Sequence, residues 1–243
     1  MEVHHHPEVE KKGFKEYLLE GLMIFVAVTM GFFAENIREY FADKEHAQQL
    51  SGQLLQDLKK DTANLNINIS REIFLKQKGD TLFDLLQQPL AKTDLKKAQE
   101  LISDCYHTTI FRASSGAITA IKNELHLKQF SGSKIASYIT DYEAELAVLK
   151  YIEDYQGRNE KQYIEAFMTT HFTPVNMRAG SLDKAIVNGE MRNLTQNDMT
   201  QLSVDLQVTG SYDALFITHY TRTKDKAEKL MEYITREYNL ENE

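Results

Sequence analysis

The chain is short of everything that interrupts a helix. Only 3 prolines and 11 glycines are spread over 243 residues, and both residue types end helices and build turns. Valine is sparse too, whereas Leu, Glu, Lys, Gln and Ala abound, a balance that favours helix over strand. The single cysteine, Cys105, excludes an intrachain disulfide and any multi-cysteine metal site. On a helix, such a thiol reads first as a small buried apolar residue. There is no basic block, and the formal net charge is −8. That argues against nucleic acid as a partner, because phosphate binding needs a concentrated positive face. The acidity serves to keep a helical surface soluble.

Signatures of chemistry are also missing. The sequence holds no Gly-rich phosphate loop, H-E-x-x-H, G-x-S-x-G or dinucleotide fingerprint. Cys105 and His107, two positions apart, would point about 200° from each other on a helix and make a poor metal pair. His46, His126, His171 and His219 are scattered. Bundle di-metal sites carry Glu-x-x-His on inward faces, and none of Glu143, Glu145, Glu153 or Asp154 has a histidine three residues on. No catalytic, cofactor-binding or metal-ligating residue is assigned, and no cofactor is implied. His4-His5-His6-Pro7 lies in a polar tail, where adjacent imidazoles bind metal only weakly.

What the sequence does hold is one conspicuously apolar run, "EYLLEGLMIFVAVTMGFFAEN", Glu16 to Asn36. The 13 residues from Leu22 to Ala34 carry no charge, and reaching back to Tyr17 adds only Glu20. Eighteen helical residues cover roughly 27 Å, enough for a thinner bilayer. The run is apolar on every side, unlike a surface helix with one apolar stripe. Tyr17 stands at one edge and Phe32, Phe33, Tyr40 and Phe41 at the other, as in an interfacial aromatic belt. Cleavage as a signal peptide is disfavoured, since bulky aromatics precede both Ala34 and Ala42. A retained transmembrane anchor over 16–36 is therefore expected, with a buried core helix as the competing reading.

Lys11, Lys12 and Lys15 precede the run, while Arg38 and Lys44 follow it, so the positive-inside rule favours a cytoplasmic N-terminus. Glu20 reads as an edge residue reaching headgroups, or alternatively as an ion-pathway or helix-pairing residue. Ala27 and Gly31 have the small-xxx-small spacing that lets membrane helices approach closely.

Beyond the run, apolar residues recur at steps of three and four: Leu50, Leu54, Leu58, Leu65, Ile69, Ile73. The pattern predicts a helix continuous with the anchor to about Lys78, with a bend at Lys78-Gly79-Asp80. "QQPLAKTD" is the first clear loop, with Thr93 or Asp94 capping a helix to about His107. A helix carrying Ile118, Ile121, Leu125 and Leu127 follows Ser114-Ser115-Gly116. "SGSK" ends it, and a long helix is predicted from Lys134 to His171. "TTHFTPVNMRAG" reads as an inter-helix connection or, less simply, a partner surface. A short helix is expected from Asn197-Asp198 to Val208, with Gly210 separating it from a last one that carries Leu215, Ile217 and Tyr220. The fold class is thus all-α, with a tail over 1–15, the anchor, and an antiparallel, coiled-coil-like helical bundle over 37–243.

"YLLEGLMIFVAVTMGFFAEN" with "LLQDLKKDTANL", "AITAIKNELHLKQF", "IASYITDYEAEL" and "YITREYNLE" resembles a group of uncharacterised bacterial single-span membrane proteins. Members of that group often place Ser-Gly after the Lys-Asn pair, whereas Glu124-Leu125 stands here. The resemblance implies an anchor helix, a helical extracytoplasmic domain and no known activity. The expectation is a single-pass helical interaction or scaffold protein, such as an accessory subunit of an envelope complex in the bacterial inner membrane. Its bundle would be periplasmic, and its partners the lipid bilayer and another protein or copies of itself. The rival readings are an oligomeric ion-pathway component using Glu20 and an unrecognised helical hydrolase or metal-binding protein.

Overall fold

A computed structural model describes residues 13–106, 110–125, 129–177 and 189–240. The described residues are helical, with no strand beyond one isolated bridge between Phe172 and Met191. Helix α1 spans Phe14–Leu86, 73 residues, or about 110 Å of unbroken helix. Its first turn is closed by the Glu16 carboxylate, which accepts from the Gly13 N–H. The bend expected at Lys78-Gly79-Asp80 does not occur: one glycine costs a helix only about 1 kcal/mol, which the flanking turns readily offset.

A short turn over Leu90–Lys92 leads to α2, Leu95–Cys105, whose first turn is capped by Asp94 accepting from the Lys97 N–H at 3.0 Å. Helix α3 covers Gly116–Asn123, and Glu124-Leu125 form a turn. Leu125 therefore lies past the helix, and Leu127 lies outside the described residues. Helix α4, Ile135–Asn159, passes through a π-helical stretch, Glu160–Glu165, into α5, Ala166–His171. Residues 174–177 add a helical turn where a plain connection was expected.

The last helix, α6, runs without a break through Gln196–Glu237. Its cap is Thr195, whose hydroxyl accepts from the Asp198 N–H while the Asp198 carboxylate accepts from the Thr195 N–H. The expected interruption at Gly210 is absent, for the reason that applies to Gly79.

Hydrogen bonds record how the helices meet. Gln48 of α1 donates to the Tyr238 carbonyl beyond the end of α6, while Gln196 at the start of α6 accepts from the Leu90 N–H just beyond α1. Between α4 and α6, the Tyr233 hydroxyl accepts from the Lys134 N–H, and Glu145 meets His219 at 2.6 Å. The apolar core divides into three clusters along α1. Ala47 to Leu58 pack with α3, the start of α4 and Ala227 to Ile234. Leu65 packs with Phe111, Leu149, Phe216 and Tyr220. Leu82 and Leu86 pack with α2, Ile164, Met168 and the first turns of α6.

Along α1 and α6 the buried seam follows a three-and-four spacing, as in coiled-coil packing. In α6 they include Met199, Leu202, Leu206, Thr209, Phe216, Tyr220, Thr223 and Ala227. Asp213 occupies the step between Thr209 and Phe216, so Leu215 is left 42% exposed. In α1 the seam runs Leu58, Asp61, Leu65, Glu72, so Glu72 is buried while Ile73, expected inside, is exposed.

Two buried carboxylates hold the segment between α2 and α3. Asp61 accepts from the Ser114 N–H, the Ser114 hydroxyl and the Tyr142 hydroxyl, all within 3.1 Å. Glu153 accepts from the Phe111 N–H at 2.8 Å and the Tyr220 hydroxyl at 3.1 Å. Burial pushes both carboxyls up, and these donors pull them back down. Backbone groups that lack a helical partner here are thus satisfied by side chains from α1 and α4.

Candidate functional site

Two regions carry more than packing. The first is the N-terminal third of α1. Phe25 is 67% exposed and Phe32 69%, and Leu18, Leu22, Ile24, Val28 and Phe33 are comparably bare. The helix is long and apolar enough to cross a bilayer, and no part of its apolar window is covered by the rest of the protein. A core helix would bury that window against its own domain; this one leaves it bare on all sides.

Glu20, Ala27 and Gly31 all lie in the window and are exposed. Separations of seven and four residues place them within about 40° of one another around the helix axis, so they form one stripe. At the far edge, Arg38 donates to Glu35 one turn earlier. From there α1 enters the domain without interruption.

The second region is a polar gap in the core between the clusters around Leu65 and Leu82. It is a cavity of ≈ 210 Å³ bounded by α1, α4 with its π-helical extension, α6 and the end of α2. The seam positions Glu72, Gln156, Glu160 and Asp213 converge here, where neighbouring layers hold Leu, Ile and Phe. Among the described residues that line it, Glu72, Asp80, Glu160 and Asp213 stand with one cation, Lys76, which donates to Asp80 at 2.8 Å. Burial, then the charges of Glu72 and Glu160, push the Asp213 carboxyl up to about 7. Gln156 is 5% exposed; its Nε2 donates to Glu160 at 3.2 Å, and its Oε1 is buried without a hydrogen-bond partner.

The π-helical stretch begins at Glu160. It takes up an extra residue: Asn159 and Glu160 are both buried, and the buried positions then step 160, 164, 168. Single π turns of this kind recur at functional sites. Gly79 and Gly210 also border the cavity, and a Cβ added at Gly79 would meet nothing within 4 Å.

Cys105 touches this cavity but does not supply a thiolate, because burial and the nearby Asp213 and Asp104 push its thiol up to about 12. Among the described residues no three or more His, Cys, Asp or Glu side chains converge as metal ligands. His171 and His219 serve structural contacts, to the Arg192 carbonyl and to Glu145. His107, His126 and the His4–His6 run lie outside the described residues.

The polar cavity was not anticipated from the sequence. The available signal was the three-and-four spacing itself, which passes through Glu72 and Asp213 when followed strictly. No family model matches the chain, and no curated protein or solved structure is detectably similar to it.

Proposed function

We propose that the protein is a single-pass membrane-anchored helical scaffold, with a tail over 1–15, an anchor over 16–36 and an antiparallel up-and-down bundle over 37–243. The observation that carries this reading is the continuity of α1: its first third is apolar and bare on every side, and its remainder is the spine of the folded domain. An uncovered apolar helix in water would be a severe aggregation hazard, whereas a bilayer removes that surface from water. Because nothing breaks α1 between the two parts, the domain is held at a fixed orientation to the anchor.

The lysines before the anchor favour a cytoplasmic N-terminus and a periplasmic bundle on a bacterial inner membrane, as in the single-span proteins the chain resembles. A bundle without assigned catalytic groups fits an interaction module that presents its outer faces to an envelope complex. Extraction of native membranes with alkaline carbonate tests the anchor: the full chain should stay with the membrane, and its release contradicts the reading. Mild-detergent purification from the native host tests the scaffold role through a partner of fixed stoichiometry.

The single stripe of Glu20, Ala27 and Gly31 favours a second reading, in which anchors pair through the small residues and bring Glu20 side chains to a shared ion-conducting interior. Glu20→Gln discriminates. A scaffold keeps its assembly and its cellular phenotype with Gln at that position, whereas an ion pathway loses conduction in reconstituted vesicles.

A further inference from the structure

We propose that α1 pairs with a second copy of the chain along the outward face of its extramembrane part, as a parallel two-fold dimer. The proposal rests on the anchor reading, which fixes how two copies meet, and it names the partner that reading leaves open.

The first observation is a second seam on α1. Inside the domain this helix buries Leu50, Leu54, Leu58, Asp61, Leu65 and Glu72. The position two residues beyond each lies about 200° round the axis, on the side away from the core. Those positions hold Gly52, Gln56, Lys60, Ala63, Ile67 and Phe74. With Ser70 between the last two, the steps are again three and four, the spacing of coiled-coil contact. The stripe covers 22 residues, about 33 Å of helix. Its two large apolar members stand one heptad apart, Ile67 64% exposed and Phe74 52% exposed.

The second observation is charge. The outward face of an amphipathic helix is where charged residues ordinarily gather. Here Asp57, Asp61 and Glu72 turn away from the stripe, Lys59 and Arg71 flank it, and Lys60 is the one charge within it. In a parallel two-fold pair each seam residue meets its own counterpart, so a charged seam would repel itself. A nearly neutral stripe suits a second copy of the same surface. One lysine is compatible with such a seam, since its long stem carries the ammonium out to water.

The third observation is how α1 is held. Two copies in one bilayer share a direction, and the unbroken helix carries that direction into the domain. Like residues are therefore brought level with one another. Ala27 precedes Ala63, and Gly31 precedes Ile67, by 36 residues, about ten whole turns, so the small residues of the anchor line up with the stripe. Gly52 weakens the helix relative to alanine, and a Cβ there would meet nothing within 4 Å in its own chain. Close approach of a second backbone gives that position a reason to stay bare.

Disulfide cross-linking in native membranes tests the contact. In a Cys105→Ser background, Ala63→Cys and Ile67→Cys on the stripe would be compared with Tyr151→Cys on α4 and Val204→Cys on α6 under copper phenanthroline. All four positions are exposed in the single chain. The two stripe variants should give a product of twice the chain mass at least about tenfold faster than the others, because only seam thiols come within disulfide reach.

Ile67→Asp sets like charges across the two-fold. In uncharged detergent it should raise the dimer dissociation constant about tenfold or more by analytical ultracentrifugation, whereas Val204→Asp should leave it unchanged. Ile67 is exposed in its own chain, so the far-ultraviolet circular dichroism of Ile67→Asp should remain that of the parent. No doubled product at the stripe, equal or faster cross-linking at Tyr151→Cys or Val204→Cys, or a stripe product containing a different protein overturns the proposal. So does an Ile67→Asp chain that dimerises like the parent. Alkaline carbonate reads the anchor separately: a chain that stays in the membrane without stripe cross-links loses the pairing and keeps the anchor.

Discussion

Replacing Asp213 by asparagine should make the protein more stable at high pH and leave it unchanged at low pH. Moving a carboxyl from its ordinary 3.8 to about 7 is worth at most ~4 kcal/mol. Asp213 keeps some contact with solvent, which reduces the usable figure to roughly 1–3 kcal/mol. The sign follows from proton binding. Between about pH 4 and 7 the folded state holds a proton on Asp213 that the unfolded chain has released, so stability falls as pH rises through this window. Above it, the folded state carries the ionised carboxylate beside Glu72, Glu160 and Asp80, with Lys76 as a partial offset.

Asparagine matches the protonated acid in shape and cannot ionise, so its stability stays level across the same window. For a chain of this size, a gain of that magnitude raises the melting temperature by about 2–10 °C at about pH 8, and by nothing near pH 4. Thermal unfolding of the full chain in uncharged detergent and amine-free buffer reads this directly. A variant no more stable than the parent at high pH, or equally stabilised at both ends, refutes the reasoning.

Asp61→Ala removes the acceptor for the Ser114 N–H and hydroxyl and for Tyr142, and should cost about 3 kcal/mol in urea unfolding. Gly79→Ala and Gly210→Ala should each raise stability by up to about 1 kcal/mol, because both sit mid-helix with room for a methyl group. Val26→Arg places a charge at the middle of the apolar window and should penalise membrane insertion by about 2.5–3.5 kcal/mol, read as the membrane-integrated fraction. Asp94→Ala removes the carboxylate that caps α2 at the Lys97 N–H and should cost about 1 kcal/mol of thermal stability.

The all-helical character and the long apolar helix were legible because both are local: scarce breakers, helical spacing and an uncharged run are properties of neighbouring residues. Leu50, Leu54, Leu58 and Leu65 were placed on the buried face and are buried. The reading slipped at Ile73 and Leu215, because it followed apolar identity where the seam followed spacing. The true seam passes through Glu72 and Asp213, polar residues that hydrophobic periodicity discards.

The bend expected at Gly79 and the break expected at Gly210 fail for a similar reason. Their propensity is unfavourable, yet tertiary packing on both sides carries the helices through. The roles of Asp61 and Glu153 were not legible at all, since their partners lie 53 and 42 positions away and only folding brings them together. The cavity is likewise a property of four elements at once. Its clearest local trace was the pair of mid-helix glycines.

The most direct measurement of the anchor is thiol accessibility in intact native membranes. In a Cys105→Ser background, Val26→Cys, Met30→Cys and Gln49→Cys would each be treated with a membrane-impermeant maleimide. All three positions are exposed on α1 when the chain is taken alone. A bilayer around 16–36 protects Val26→Cys and Met30→Cys and leaves Gln49→Cys reactive. Equal labelling at all three positions would contradict the anchor and the account built on it.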